Sequence, residues 1–213
     1  MVGCAIAARN RPGRRLALSA RREELLELGL ELFSRRAYDE VSLEDIAAAA
    51  GISKGLVYHY FPSKRDLYVE SLRVAAARLL AVTEPDPTLP KPARLRNALA
   101  AYLDYVEGYA ASYTALLEGG VGSDEDAAAI VDHSRSVILE RVLAALGVAI
   151  GEAQPALHLT VRGWIGFVEA TSTEWLDDKS VTKEQLLDLM VSTLASMLPV
   201  AVRIDPTIRL DLG

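Results

Sequence analysis

The chain has 213 residues and a net charge of −6, and 51% of its residues are hydrophobic. Abundant Ala and Leu with few β-branched runs favour helices joined by short turns, so we expect an all-α fold. The only cysteine, Cys4, excludes a disulfide framework and a cysteine metal cluster. No stretch approaches the roughly 18 apolar residues that cross a bilayer, so we expect a cytoplasmic protein without membrane contact.

The charge is unevenly distributed along the chain. Residues 1–70 contain 11 Lys and Arg against 10 Asp and Glu, a net charge of +1, whereas residues 71–213 contain 12 against 19, a net charge of −7. Six arginines precede the first acidic residue, namely Arg9, Arg11, Arg14, Arg15, Arg21 and Arg22. We therefore expect residues 1–19 to form a flexible basic arm on an otherwise acidic protein.

Two helices are predicted after the arm. In the first, the apolar residues follow the i, i+3, i+4, i+7, i+8 spacing of one buried stripe, at Leu25, Leu28, Gly29, Leu32 and Phe33. The second is short and covers LEDIAAAA, residues 43–50. Ser42 is its predicted N-cap, because a serine followed by acidic residues in the first turn is typical of a helix start.

A tight turn joins the second predicted helix to a third. Gly51 stands where a helix ends and where only glycine takes a positive φ cheaply, and Ser53 can cap a helix that begins at Lys54. Val57 and Phe61, together with Ile52, have the spacing that holds this third helix against the first. These features predict a helix-turn-helix domain over residues 20–68.

The inward residues leave a polar and aromatic face on the third helix. On a helix in the major groove of DNA, Lys54 can donate to guanine, Gly55 lets the backbone approach a base edge, and His59 can contact bases. The tyrosines of this face and Lys64 can hold phosphates, and the arginines of the arm can reach phosphates or a minor groove. The residues predicted to contact DNA are Arg14, Arg15, Ser42, Ser53, Lys54, Gly55, Tyr58, His59, Tyr60 and Lys64.

The stretch EDIAAAAGISKGLVYHYFPSKRDL resembles the amino-terminal DNA-binding segment of TetR-family transcriptional regulators. The residues that match the family pattern are Gly51, Ile52, Ser53, Gly55, Val57, Tyr58, Phe61 and Lys64. The resemblance implies a homodimer that represses transcription at a palindromic operator of double-stranded DNA until a small hydrophobic effector releases it. Activation of transcription is the alternative within the family.

The sequence departs from the family pattern at two positions. Tyr60 stands where a histidine is common, and its hydroxyl can still reach a phosphate. Ala37 stands where the family often has the glycine that ends the first helix. We expect Ala37 either to adopt the left-handed conformation or to be bypassed by a different turn.

The remainder of the chain predicts a second helical domain. A fourth helix is predicted over residues 63–84, and the proline-rich break PDPTLPKP follows it. Five further helices are predicted over residues 91–111, 112–120, 124–147, 154–177 and 182–201, and a short extended tail ends the chain. The resemblance implies that residues 69–213 bind the effector and dimerise. It also implies that the fourth helix links effector binding to the DNA-binding domain, and that the last two long helices pair with a second subunit.

Aromatic and charged residues predict an effector pocket in this domain. Four tyrosines between residues 102 and 113 are spaced by three and four, which places them along one side of a helix, although ordinary core packing is the alternative for each. Arginines on otherwise apolar helices can meet an anionic ligand head, with ion pairing or solvation as the alternative. The predicted pocket residues are Tyr102, Tyr105, Tyr109, Tyr113, Arg135, Arg162, Trp164 and Phe167.

A second resemblance concerns the effector. The stretches YLDYVEGYAASYTALLE and SRSVILERVLAALG are similar to actinobacterial TetR-type regulators of fatty-acid metabolism. This resemblance implies that the effector is a fatty acyl chain or its coenzyme A thioester.

Two other function classes are open to an all-α chain. An enzyme would have to use His59, His133 or His158, but no nucleophile, base and orienting group occur together. Asp132 and His133 near the acids at 124–126 suggest a metal site, but no i, i+4 histidine pair or cysteine partner supports one. We therefore expect no catalytic residue, metal or cofactor. A scaffold that does not bind DNA leaves the face of Lys54 and Tyr58 unexplained.

Overall fold

The computed structural model describes residues 12–110, 113, 114, 117, 124–149 and 151–211, with side chains from residue 19 onward except that of Pro92. Within these ranges the chain forms eight α-helices and a short 3-10 helix, without a strand. The helices are α1 (Pro12–Arg35), α2 (Leu43–Ala49), α3 (Lys54–Tyr60), α4 (Lys64–Val82), α5 (Lys91–Gly108), α6 (Glu125–Ala145), α7 (Pro155–Asp178) and α8 (Lys183–Ile204). The expected all-α fold is confirmed, and the helix predicted over 112–120 lies mostly outside the described residues.

The start of α1 differs from the sequence prediction, whereas its end follows one of the two predicted alternatives. The helix begins at Pro12, so residues 12–19 of the predicted arm are helical, as their Ala, Leu and Arg content favours. After α1 ends at Arg35, Ala37 has φ −53° and ψ 147°, which is not left-handed. The 3-10 helix Tyr38–Glu40 replaces the glycine turn of the family, so the expected bypass of Ala37 is the one that occurs.

Packing divides the chain into two units after Ser71, and α4 contributes residues to both. In the first unit α1 packs on α2, and α2 packs on α3. The buried residues of α1 are Leu25, Leu26, Gly29, Leu30 and Phe33. Leu28 and Leu32, which were predicted to be buried, are only half-buried. Leu26 and Leu30 are buried instead, because this side of α1 also packs against the start of α4.

Gly29 allows α1 and α4 to lie close together. A Cβ atom at this position would lie 3.1 Å from Ser71 Oγ and 3.2 Å from a methyl group of Leu67. Both of these α4 residues are fully buried, and the Ser71 hydroxyl donates to the Leu26 carbonyl at 3.2 Å. The glycine of α1 therefore serves helix packing rather than backbone flexibility.

The predicted local signals around the turn are confirmed. Ser42 Oγ accepts from the Asp45 N–H at 3.1 Å while the Asp45 carboxylate accepts from the Ser42 N–H at 2.8 Å, which is a capping box. Gly51 ends α2 with φ 65°. Ser53 Oγ then accepts from the Leu56 N–H at 3.3 Å and caps α3.

The second unit packs α5, α6, α7 and α8 around an apolar core. α7 packs along α8 and also contacts α5 and α6. Trp164 of α7 is almost fully buried, and its indole N–H donates to the Met190 carbonyl of α8 at 2.9 Å. The Tyr105 hydroxyl of α5 donates to the Ala75 carbonyl of α4 at 3.1 Å. These two bonds satisfy buried polar groups and fix helix pairs across the core.

The chain after α8 folds back onto the second unit. The Asp211 N–H donates to the Leu146 carbonyl at 2.9 Å, and Ile208 is buried. Gly147 has φ 79°, and a Cβ atom there would lie only 2.6 Å from Asp211 Cβ. Gly147 therefore provides both the left-handed end of α6 and the space for the tail.

Candidate DNA-binding surface and effector pocket

Helix α3 has one buried side and one exposed side. Val57 is fully buried, while the exposed residues are Lys54, Gly55, Leu56, Tyr58 and His59. Tyr58 is 46% exposed and Leu56 38% exposed, so both can contact a partner of α3. We define Lys54, Gly55, Tyr58 and His59 as the reading surface.

An acidic residue of α2 holds the lysine of the reading surface. The Lys54 ammonium forms an ion pair and hydrogen bond with Glu44, and it lies 5.6 Å from the centroid of the Tyr58 ring. The hydrogen bond raises the pKa of Lys54 and lowers the pKa of Glu44. Glu44 was not among the predicted DNA contacts, because its position in the first turn of α2 already explains an acidic residue.

Lys64 has a structural partner in addition to its predicted phosphate contact. Its Nζ donates to the Tyr38 carbonyl at 2.9 Å and lies 4.1 Å from the centroid of the Tyr38 ring. The same ring packs against Phe33 and Tyr68, with centroids 5.8 Å and 5.0 Å away. Lys64 therefore fastens the 3-10 helix to α4, and its contact with phosphate stays a prediction.

Three small residues of the predicted set lie at helix starts. The hydroxyls of Ser42 and Ser53 already accept backbone N–H groups as N-caps, and the Ser42 hydroxyl also donates to the Asp45 carboxylate at 2.8 Å. Ser42 can therefore donate to a phosphate only by giving up its bond to Asp45, whereas Ser53 can still donate its hydroxyl proton. A Cβ atom at Gly55 would meet no atom within 4 Å. Packing therefore does not require glycine at this position, and the close approach of Gly55 to a base edge stays a prediction.

The remaining predicted contacts lie at the end of α3 and near the start of α1. His59 is exposed and Tyr60 is half-buried, and their rings are 5.6 Å apart in an edge-on arrangement. Arg14 and Arg15 belong to the helical backbone of α1, but their side chains lie outside the described residues.

A narrow, almost entirely apolar pocket lies in the second unit, between the C-terminal end of α4 and helices α5, α6 and α7. Its empty space, counted with its opening to solvent, is about 890 Å³. Its ionised lining residues are three arginines and one glutamate, a net charge of +2: Arg94, Arg135, Arg141 and Glu169. Apolar walls with an excess of positive charge suit a ligand that combines a hydrocarbon part with an anionic group.

Hydroxyl groups form a buried network in one wall of the pocket. The Tyr102 hydroxyl lies 2.5 Å from the Tyr113 hydroxyl and 3.0 Å from Ser172 Oγ, and Ser172 donates to the Val168 carbonyl at 2.7 Å. Desolvation by burial raises the pKa of both phenols, so both are neutral at physiological pH. The phenols can therefore serve the pocket only as neutral hydrogen-bonding groups.

The prediction that the four tyrosines lie along one side of a single helix is wrong. Helix α5 ends at Gly108, and Tyr109 leaves the helical conformation with φ −132° and ψ 41°. In a continuous helix Tyr102 and Tyr113 would be separated by about 16 Å along the axis. Their ring centroids are instead 5.8 Å apart, so the chain changes direction between them.

Arg135 lines the pocket as predicted, but an acidic residue binds it. Its Nε and Nη2 each donate to an oxygen of the Glu169 carboxylate at 2.9 Å. The hydrogen bond to Glu169 raises the pKa of Arg135. The arginine and glutamate side chains are 27% and 18% exposed, so this is a partly desolvated two-point ion pair.

Half of the predicted pocket residues do not line this pocket: Tyr105, Tyr109, Arg162 and Phe167. Tyr105 is a core residue bonded to α4, and Tyr109 is 51% exposed and stacks on Tyr105. Arg162 lies 3.7 Å from the Asp132 carboxylate. The other four, Tyr102, Tyr113, Arg135 and Trp164, do line the pocket, and their contact with an effector stays a prediction.

Two lining arginines were not among the predicted residues. Arg94 donates to the carbonyls of Pro87 and Leu89, at 2.9 Å and 2.8 Å. Arg141 donates to the Leu80 carbonyl at 2.7 Å. The rule that selected Arg135, an arginine on an otherwise apolar helix, applies equally to Arg141, but the partners across the fold cannot be read from spacing.

An outer face of α7 and α8 is apolar and uncovered in the single chain. The exposed large apolar residues on these helices are Leu159, Leu189, Val200 and Ile204. A Cβ atom at Gly163 or Gly166 would meet no atom within 4 Å. The expectation that no stretch approaches a membrane-spanning length is wrong for α8, which alone among the helices described has the length and apolar composition to cross a membrane. Only 33% of its most apolar segment is buried. Uncovered apolar faces of this kind are typical of protein interfaces.

The described residues contain no group of three His, Cys, Asp or Glu side chains close enough to share a metal ion. Asp132 contacts Arg135 and Arg162 instead, at 3.8 Å and 3.7 Å. Cys4 lies outside the described residues.

Two family models match the chain. The model described as bacterial regulatory proteins of the tetR family matches residues 25–70, which contain α2 and α3. The model described as a tetracyclin repressor-like C-terminal domain matches residues 92–197, which contain most of the pocket lining.

Individual proteins show the same similarity. The chain is 28% identical over 185 residues to the HTH-type transcriptional activator FasR of Mycolicibacterium smegmatis, covering 85% of this chain and 84% of the relative. It is 32% identical over 90 residues to the HTH-type transcriptional repressor DhaR of Mycobacterium sp. (strain GP1), covering 41% and 46%. A crystal structure of a tetR-family transcriptional regulator from Streptomyces coelicolor matches with a TM-score of 0.77 and 36% identity, covering 89% and 85%.

Proposed function

This chain belongs to the TetR family of bacterial transcriptional regulators, and we propose that it represses transcription from a palindromic operator, as a homodimer, until a hydrophobic effector releases it. It is a regulator and not an enzyme, and we expect it to act in the cytoplasm. The observation that carries the proposal is the reading surface, where Lys54, Tyr58 and His59 are exposed on a short helix whose other side holds Val57 in the core.

Each residue of the reading surface has a task in the proposed complex. Lys54 exchanges Glu44 for the O6 or N7 atom of a guanine, and His59 contacts a neighbouring base edge. Gly55 lets the α3 backbone approach the groove floor, because no side chain intervenes. Tyr58 and Lys64 bind phosphates and fix the register of α3 on the duplex.

The proposed dimer joins the uncovered faces of α7 and α8 from two chains. Gly163 and Gly166 permit close helix approach, and Leu159, Leu189 and Ile204 supply apolar contact area. A palindrome requires two copies of α3 about 34 Å apart, one helical turn of DNA, which a monomer cannot supply.

The proposed effector binds in the pocket of the second unit. The walls accept a hydrocarbon chain, and the net charge of +2 in the lining favours an anionic group. A fatty acid, through its carboxylate, or a fatty acyl coenzyme A thioester, through its phosphates, has both properties. We propose residues 20–68 as the DNA-binding domain and residues 69–213 as the effector-binding and dimerisation domain. The basic residues before residue 20 include the helical segment 12–19 of α1.

The test is a selection of bound DNA. The purified full chain is mixed with genomic fragments at low salt, and the retained fragments are sequenced and then confirmed by gel shift. We expect one palindromic motif, bound at least about tenfold more weakly by Lys54→Ala and Tyr58→Ala. Arg73→Ala is the matched control, because Arg73 is exposed on α4 in the second unit. No enriched motif and no duplex binding at low salt would contradict the proposal.

Activation of transcription is the second candidate, because the named relative matched over most of its length is an activator. Measuring transcript levels distinguishes the two functions. Transcripts from a template that carries the selected operator decrease with added protein if the chain is a repressor, and increase if it is an activator.

A further inference from the structure

We propose that Arg141 binds the anionic head of the effector and that, when it does so, it leaves the C-terminal end of α4. The inference rests on the proposed function, because it requires an effector in the pocket. It adds the residue that recognises the head, the chemical class of that head, and the structural change that binding causes.

Arg141 lies in the pocket lining and holds the end of α4 at the same time. Its Nη1 donates to the Leu80 carbonyl at 2.7 Å and to Thr83 Oγ1 at 3.1 Å, while Thr83 donates to the Leu79 carbonyl at 2.7 Å. Leu79 and Thr83 also line the pocket. One arginine is therefore within reach of both a ligand and the last turn of α4.

The last turn of α4 depends on this arginine. In a regular α-helix the Glu84 N–H would donate to the Leu80 carbonyl, but it donates to the Ala81 carbonyl at 3.4 Å. The guanidinium of Arg141 takes the place of the backbone donor at Leu80. A cation at a helix C-terminus also offsets the partial negative charge of the unpaired carbonyls. Removal of Arg141 from this position should therefore loosen the end of α4.

The other two lining arginines are less suited to an incoming anion. Arg135 is already neutralised by two hydrogen bonds to Glu169. Arg94 donates through Nε and Nη2 to the carbonyls that shape the proline-rich loop before α5. Arg141 is bound mainly by a neutral carbonyl and a hydroxyl, and its nearest acid, Glu84, is 4.0 Å away with a side chain that is 74% exposed. A carboxylate or phosphate therefore gains most from Arg141.

The pocket has polar groups at two separate places, which gives a bound chain a direction. Arg135 and Arg141 are about 9 Å apart along α6. Arg135 lies with Glu169, whereas Arg141 lies with the end of α4. An anionic head at Arg141 leaves the apolar walls around Trp164 for the hydrocarbon chain.

The experiment compares two probes that differ in one group, laurate and lauryl alcohol. Binding is followed by the fluorescence of Trp164, with Trp175 as the only other tryptophan. Hydrogen exchange reports on the amides of residues 79–84, and gel shift reports on operator binding. Wild type, Arg141→Gln and Arg94→Gln are compared, with Arg141→Lys as a variant that keeps the charge but not the two-point geometry.

We expect wild type to bind laurate about tenfold more tightly than lauryl alcohol. Laurate should speed exchange at residues 79–84 about fivefold, and lauryl alcohol should not. The preference should vanish in Arg141→Gln, where exchange is fast without ligand, and it should persist in Arg94→Gln.

Three results would overturn the inference. The first is equal affinity of wild type for laurate and lauryl alcohol. The second is a preference for laurate that survives in Arg141→Gln, and the third is a preference for laurate that disappears only in Arg94→Gln. If both probes release the operator equally, the proposed function stands and this inference fails. If neither binds in the pocket, this inference and the proposed acyl effector fail, while the selection of bound DNA still tests operator binding. The comparison of probes on wild type needs no variant, so it holds even if Arg141→Gln folds poorly.

Discussion

The hydroxyl of Tyr102 on α5 lies 2.5 Å from that of Tyr113, eleven residues later in the chain, and both phenols are buried beside the pocket. Burial raises the pKa of each phenol above its ordinary value of 10.0. The folded chain therefore retains both protons at a pH where the unfolded chain has released them. By linkage, stability is complete below about pH 10 and decreases above it.

We predict that the free energy of unfolding falls above about pH 10 by up to about 1.4 kcal/mol per pH unit for each phenol. Urea unfolding followed by circular dichroism at a series of alkaline pH values measures this slope. The double variant Tyr102→Phe with Tyr113→Phe should flatten it, and Tyr109→Phe, which changes an exposed ring, should not. An unchanged slope in the double variant would show that other groups cause the alkaline sensitivity.

Glu44 places a negative charge next to the lysine of the reading surface. We predict that Glu44→Gln binds any duplex about fivefold more tightly at low salt, because one unit charge near a phosphate costs roughly 1 kcal/mol in water. The gain should shrink as salt screens the charge. Gel shifts over a salt series measure the effect.

Glu23→Gln is the control for this prediction, since Glu23 is an exposed acid on α1 in the same unit. Equal affinities of the two variants at low salt would mean that Glu44 does not border the bound DNA.

The uncovered face of α7 and α8 leads to a prediction about assembly. Gly163→Arg should convert the proposed dimer to a monomer, because the new side chain occupies the proposed interface. It should not unfold the chain, since a Cβ atom there meets nothing and arginine favours a helix over glycine by roughly 1 kcal/mol. Light scattering measures the mass, and circular dichroism measures the helix content.

Ala77→Arg is the matched control, because Ala77 is an exposed small residue in the middle of α4. A dimeric Gly163→Arg chain would place the interface elsewhere.

The ion pair of Arg135 and Glu169 should contribute measurably to stability. Its side chains are partly buried, so we predict a coupling energy of about 1–2 kcal/mol, between the values typical of exposed and of buried pairs. A double-mutant cycle with Arg135→Gln and Glu169→Gln in urea unfolding measures it. The exposed pair of Arg21 and Glu24 is the control and should give at most about 0.5 kcal/mol. Equal coupling in the two cycles would contradict the prediction.

Local chemistry made the first unit largely predictable. Gly51, Ser42 and Ser53 act within one helical turn of their own positions, so their roles follow from residue type and spacing. The exposed side of α3 follows from the same periodicity, because Val57 fixes which side faces inward. The turn after Arg35 was predictable only as a pair of alternatives, since both conformations are open to Ala37.

Long-range packing decided the contacts that give the pocket and the reading surface their chemistry. Tyr113 meets Tyr102 because α5 ends at Gly108, Arg141 meets Leu80 across two helices, and Glu44 meets Lys54 across the turn. Helical periodicity shows which side of a helix is buried, but it does not show which residue of another helix lies opposite. That choice depends on how every helix packs at once, so these partners appear only in the folded chain.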